Sequence, residues 1–208
     1  MPDIFLAGAE AAASGLEAVL NRSGLHTPVL VSAVADPGNN ILGETFHSMA
    51  AIRFGDYIAK ISASPAPGSA VSRLTGTATG SEDDLLRELV TAFFKDNAAE
   101  YELRAQLCTN LDQMPVEDAS IEWPVVLSPH LRLGRLVLPA GQKPNTPERQ
   151  RFGDDVLSFT PWHCLAAHRP LGSIMRLRKR VYDASSAGRH QRTHQPRTEP
   201  RNLGEVPD

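Results

Sequence analysis

The stretch 176–192, RLRKRVYDASSAGRHQR, sets Arg178, Tyr182 and Arg189 four and seven residues apart. At about 3.6 residues per turn, those three side chains fall on one face of a helix. A phenol ionises at about pH 10, so a tyrosinate that serves as a metal ligand needs a cation beside it. Arg178, one turn before Tyr182, is placed to supply that charge. The commoner meaning of such a pair is a guanidinium stacked on a ring at a surface or interface, and spacing alone favours it. The order of segments upstream has to decide.

The helix carrying these residues is expected from Ser173 to about Gly188, with Ser173 at or near its N-cap and Gly188 at or near its end. Before it, DDVLSFTPWHCLAAHRPLGS (154–173) is irregular and broken by prolines, and GQKPNTPERQ (141–150) is a surface connection. LRLGRLVLP (131–139) reads as a strand, led in by Trp123 and Pro124. EYELRAQLCTN (100–110) alternates Tyr101, Leu103, Ala105 and Leu107, a second strand. Ser81 and Asp84 resemble a capping box ahead of Leu85, Leu86, Leu89, Val90, Phe93 and Phe94, which share one face of an amphipathic helix. In ETFHSMAAIRFGDYIAKISASP (44–65), Ile52, Phe54, Tyr57, Ala59 and Ile61 alternate around Gly55, which suggests a strand with a bulge or kink. Ser64 to Ser81 is a loop, DPGNN (36–40) a turn, and residues 5–22 an amphipathic helix. The polar tail from Gln191 to Asp208 has little to bury and is expected to be extended or partly disordered.

In this order the segments resemble the second half of the catalase fold. The family's proximal signature is an arginine, three residues, the ligand tyrosine and a further arginine seven residues on, which Arg178, Tyr182 and Arg189 reproduce. WPVVLSPHLRLGRLVLP (123–139) is similar to the Trp-Pro segment that feeds a barrel strand, and Phe159-Thr-Pro161 to the Phe-x-Pro approach to the proximal helix. RFGDYIAKISASP (53–65) is similar to the strand with an aromatic-Gly-x-x-x-x-Lys pattern. The match runs over roughly 41–192. HRPLGSI (168–174), PVEDAS (115–120) and the ETF-aromatic region resemble the small bacterial catalase-like proteins.

That resemblance implies an α+β chain: a partial catalase-like antiparallel β-barrel with a C-terminal proximal-haem helix. It implies haem b, with Tyr182 as the iron ligand, Arg178 supporting the phenolate, Arg189 on a propionate and Phe159 near the porphyrin; an anionic ligand of this kind favours ferric iron. Hydrogen peroxide or an organic peroxide is the implied substrate. The family's distal histidine and asparagine lie before the matched region. His26 and His47 are the histidines before residue 130, neither sits in a segment like the distal motif, and Asn39 and Asn40 belong to a turn. No distal catalytic residue is assigned. The expectation is a truncated or split family member with little or no turnover; a non-catalytic remnant or binding module is the alternative. Its sheet would stay open unless the N-terminal helix, a second copy or the missing N-terminal half covered the edge. The expected divisions are an N-terminal helix and linker (1–40), the catalase-like part (41–192) and a polar tail (193–208).

With 208 residues, 41% hydrophobic and 22% charged, the chain is long enough for one domain with a substantial core. The net charge of -3 hides an acidic stretch between Glu82 and Glu122 and a basic one from Arg176 to Arg201. The basic run lacks the aromatic interleaving of a nucleic-acid motif, so no nucleic acid is expected. No apolar run approaches the roughly 20 residues of a membrane span. The N-terminal stretch is acidic and interrupted by Glu10, unlike a secretory signal, which leads to a cytoplasmic expectation. Cys108 and Cys164, outside any CxxC spacing, read as reduced thiols. His163, Cys164 and His168 offer metal ligands at short spacing without a nearby fourth, so packing is the better reading. His190 and His194 are expected to be solvated. No GxSxG elbow, Walker loop or GxGxxG occurs, which argues against hydrolase, nucleotidase and dinucleotide-dependent classes.

Overall fold

The computed structural model describes residues 40–74, 85–143 and 146–207. The expected helix at 5–22, His26, most of the 36–40 turn and the Ser81–Asp84 box lie outside the described residues. Of that turn Asn40 is described, and its side-chain oxygen accepts from the Leu42 amide at 3.1 Å.

Around Gly55 the chain makes a hairpin rather than one kinked strand. β2 (Ile52–Phe54) turns through Gly55 and Asp56 into β3 (Tyr57–Pro65), with Phe54 opposite Tyr57. Gly55 has φ +64, a left-handed conformation that opens a two-residue hairpin loop and meets no Cβ clash in glycine. Phe54 and Tyr57 are cross-strand partners and so share a face, which is why the alternation survives the turn. β1 (Phe46–His47) pairs with the other end of β3, at Ala63 and Ser62. Between β1 and β2, Ser48 stands in for the ladder: its Oγ accepts from the Ile61 amide at 3.0 Å and donates to the Ala50 carbonyl at 2.9 Å.

β4 (Ala99–Leu107) lies on the far edge of β3, and β5 (Leu131–Leu138) lies on β4, all antiparallel. Among the described residues the sheet ends at β5, so the expected partial barrel is an open wall and not a closed cylinder. Every residue of β5 is exposed, on both faces.

α1 (Leu85–Asp96) forms as its apolar period predicts and lays Phe93 and Phe94 on Val71, Ala99 and Tyr101. Tyr101 is buried with its hydroxyl donating to the Leu42 carbonyl at 2.7 Å. Simple alternation fails on β4: Glu102 and Gln106 are buried on the opposite face, and Leu103, on the same face as Tyr101, is exposed. Pairing makes that burial tolerable. Gln106 donates to the carbonyls of Trp123 and Ser128, both at 3.0 Å, and Glu102 accepts from Arg104 at 2.6 Å. Trp123 sits in a second core with Ala51 and Met114. Its Nε1 donates to the Pro115 carbonyl at 3.2 Å, and Lys60 Nζ lies 4.8 Å from its ring centroid. The Lys60 strand, the β4 strand and the Trp-Pro segment are therefore one packed unit.

After a short helix, α2 (Pro147–Arg151), the chain reaches α3 (Ser173–Thr193). Ser173 is its first helical residue and Gly172 its N-cap. Gly188 lies inside the helix; the terminator is His194, in the left-handed conformation at φ 53. The tail is not loose: Thr198 pairs with Leu157 in a parallel bridge, and Arg149 Nε donates to the Pro207 carbonyl at 2.7 Å. No helix among the described residues is long and apolar enough to cross a membrane.

Candidate functional site

The entry to α3 is fixed on two sides. On one, residues 167–171 run along β2: the Arg53 amide donates to the Arg169 carbonyl at 2.8 Å, Gly55 to Ala167 at 3.0 Å, and Leu171 back to Ala51 at 3.0 Å. On the other, the PVEDAS loop receives the first turn. Ser173 Oγ donates to the Glu117 carbonyl at 2.6 Å, and Arg176 grips the Glu117 carboxylate through both oxygens at 3.0 and 2.6 Å. The Arg176 hydrogen bonds hold the Glu117 carboxyl below its ordinary range. Two short motifs separated by about fifty residues in sequence thus meet as one joint.

Beyond that joint, Arg178 Nη2 donates to the Tyr182 hydroxyl at 2.6 Å, and the guanidinium carbon lies 5.2 Å from the ring centroid. Arg178 also reaches the sulfur of Met175 at 3.6 Å. Arg189, two turns further on the same face, donates from Nη2 to the Leu157 carbonyl at 2.6 Å, while its Nε is buried without a partner. The segment holding it runs antiparallel to the helix: Leu157 meets Arg189, the Ser158 and Ser186 hydroxyls are 2.8 Å apart, and Trp162 Nε1 donates to the Met175 carbonyl at 3.0 Å. Phe159 falls between these contacts and is 68% exposed. The structure brings Arg178 onto Tyr182, sets Arg189 two turns further along the helix and leaves Phe159 exposed on the segment packed against it.

The other candidates stay apart. His163 pairs with Glu199 at 2.5 Å, His168 stacks on Phe54 and Cys164 is exposed. Among the described residues no three histidine, cysteine, aspartate or glutamate side chains converge on a metal-sized site. His190, expected to be solvated, is a helix residue whose ring nitrogens are buried and unpartnered.

A polar cluster went unread in the sequence. His130 Nδ1 lies 3.1 Å from the buried Ser62 hydroxyl, and its ring packs edge-on against His47 at 5.8 Å. The available signal was the run of serines at 62 and 64 on the same side of β3. Burial, then His47, then Arg104, pull His130 below the ordinary imidazole value of 6.5. The unfolded chain therefore takes up the proton first. Stability is expected to fall as pH drops below about 6.5, and His130→Asn should flatten urea-denaturation midpoints over that interval. Carboxylates such as Glu117 enter only at lower pH. Equal slopes in both proteins would remove His130 as the cause.

No protein-family model matches the chain, and no curated protein matches it. Solved structures do. A fungal catalase aligns at a TM-score of 0.53 and 16% identity, over 73% of this chain and 32% of its own. Catalase A from Saccharomyces cerevisiae aligns at 0.55 and 19%, over 74% of this chain and 34% of its own. The chain spans about a third of the length of those structures. At such identity the likeness is one of fold: an open antiparallel sheet with flanking helices, arranged as in part of a catalase.

Proposed function

We propose that this chain is the proximal part of a catalase-related haem protein of the small bacterial catalase-like type, with residues 41–192 as its catalase-like unit. Tyr182 is the iron ligand, Arg178 stabilises negative charge on its oxygen, Arg189 pairs with a propionate and Phe159 lies along the porphyrin edge. The observation that carries this reading is the 2.6 Å hydrogen bond from Arg178 to Tyr182 on a helix within a catalase-like fold. The side chains suit haem b: a phenol backed by a guanidinium, and two turns on a second guanidinium with an unfilled, buried donor. Bound haem would supply the redox chemistry of iron toward hydrogen peroxide or an organic peroxide. Tyr182 and Arg178 would set the charge at the iron, and Arg189 the orientation of the ring. The working place of such a protein is the cytoplasm.

Adding hemin to the purified chain should give a Soret band that Tyr182→Phe shifts or abolishes. A band unchanged by that substitution removes the ligand assignment. The sheet edge left open among the described residues favours a second reading, a haem-binding module that does not turn over peroxide until a second copy or a separate distal segment completes it. Oxygen release from hydrogen peroxide by the chain alone is therefore expected to be slow or absent; rapid, Tyr182-dependent release would overturn that reading.

A further inference from the structure

The tail returns along the segment that holds Arg189, and three independent ties fix it there. Arg197 faces Asp183, the neighbour of Tyr182, at 3.6 Å. Thr198 brackets Leu157: its amide donates to the Val156 carbonyl at 3.3 Å, and the Ser158 amide donates to the Thr198 carbonyl at 2.8 Å. Glu199 closes on His163 at 2.5 Å. Residues 156–158 are thus clamped between the tail on one side and α3 on the other, where Leu157 binds Arg189 and Ser158 touches Ser186.

We propose that residues 196–200 are a strap whose task is to position Arg189, with Thr198 as the positioning residue acting through the Leu157 carbonyl. The inference rests on the reading of Arg189 as an anion contact. Among the described residues the Arg189 guanidinium makes one hydrogen bond, to that carbonyl, and a long side chain held by one bond is only as fixed as its acceptor. With 156–158 clamped, Nε points from a set position, ready to meet a carboxylate. With the strap released, the carbonyl moves and the guanidinium samples other rotamers.

The test uses the full chain. Thr198→Pro deletes the amide that bonds to Val156, whereas Thr198→Val keeps every backbone tie. Without hemin, hydrogen exchange at the Ser158 amide and the Arg189 Nε–H should be at least tenfold faster in Thr198→Pro, and unchanged in Thr198→Val and across β4. With hemin, Thr198→Pro should weaken binding about tenfold, and Thr198→Pro in an Arg189→Lys background should add nothing further. Should the proline variant fail to fold, Arg197→Ala with Glu199→Ala loosens the strap while sparing the backbone, and the same readouts apply. Wild-type exchange at Arg189 Nε–H after release, or additive losses in the double variant, overturns the proposal. If hemin does not bind through Tyr182 at all, the functional reading fails while the exchange experiment still decides whether the strap holds Arg189.

Discussion

Gly172→Ala is expected to destabilise the chain by on the order of 3 kcal/mol, enough to unfold a marginal domain. Two effects act together. Gly172 sits at φ 87 and ψ 168, a region that side-chain-bearing residues scarcely enter. A Cβ there would also stand 2.4 Å from the Val116 carbonyl oxygen. That oxygen is backbone in a loop pinned by Trp123 and Arg176, so it has no rotamer into which to retreat. Gly188→Ala provides the contrast within the same helix. Nothing lies within 4 Å of the added methyl, and alanine is the better helix former, so a gain of up to about 1 kcal/mol is expected. Urea denaturation of both variants checks the pair; a neutral Gly172→Ala would mean that the joint between helix and loop yields easily.

Trp123→Ala carries the other large effect, about 3–5 kcal/mol. The indole is 1% exposed, among the largest fully buried side chains described, and its loss opens a cavity beside Ala51 and Met114. It also orphans the Pro115 carbonyl and exposes the face on which Lys60 rests. Trp123→Phe should recover part of the packing but not the hydrogen bond, leaving a deficit of about 1–2 kcal/mol. Since the 115–117 loop receives the first turn of α3, the damage should reach Arg176. A double-mutant cycle between Trp123→Phe and Arg176→Ala is expected to show coupling of at least about 0.5 kcal/mol. Strict additivity would mean that the core and the helix entry are independent.

The elements that the sequence made legible are those whose burial follows one period. α1, with Phe93 and Phe94 on its inner face, is of this kind. Gly55 shows what alternation leaves open, since a pleat that continues across a two-residue turn looks the same in the sequence as a kink. Gly188 misled for another reason: a glycine costs a helix about 1 kcal/mol, and contacts at Ser186, Arg189 and Thr193 outweigh that. Glu102 and Gln106 are buried by partners distant in sequence, Trp123 and Arg132 among them, which no local pattern encodes. At the candidate site, spacing was enough to place Arg178 on Tyr182, a contact within one helical turn. The clamp on Arg189 was hidden, because it needs Leu157 and Thr198 to meet across some forty residues that lack a periodic signal.

β5 has a last consequence, for the behaviour of the chain in concentrated solution. Among the described residues no strand pairs with its outer row of amides and carbonyls, which makes it a template for another strand, and Leu133, Leu136 and Val137 offer apolar side chains as well. Two cations interrupt it, Arg132 toward Glu102 at 3.5 Å and Arg135 on Glu100 at 2.9 Å. As an exposed pair, Arg135 with Glu100 adds little to stability, while Arg132 helps to neutralise the buried Glu102. Their larger effect is as gatekeepers, because stacking one β5 on the next in register would pile arginine on arginine. The same two residues that decorate the sheet edge thus oppose its growth into a fibril.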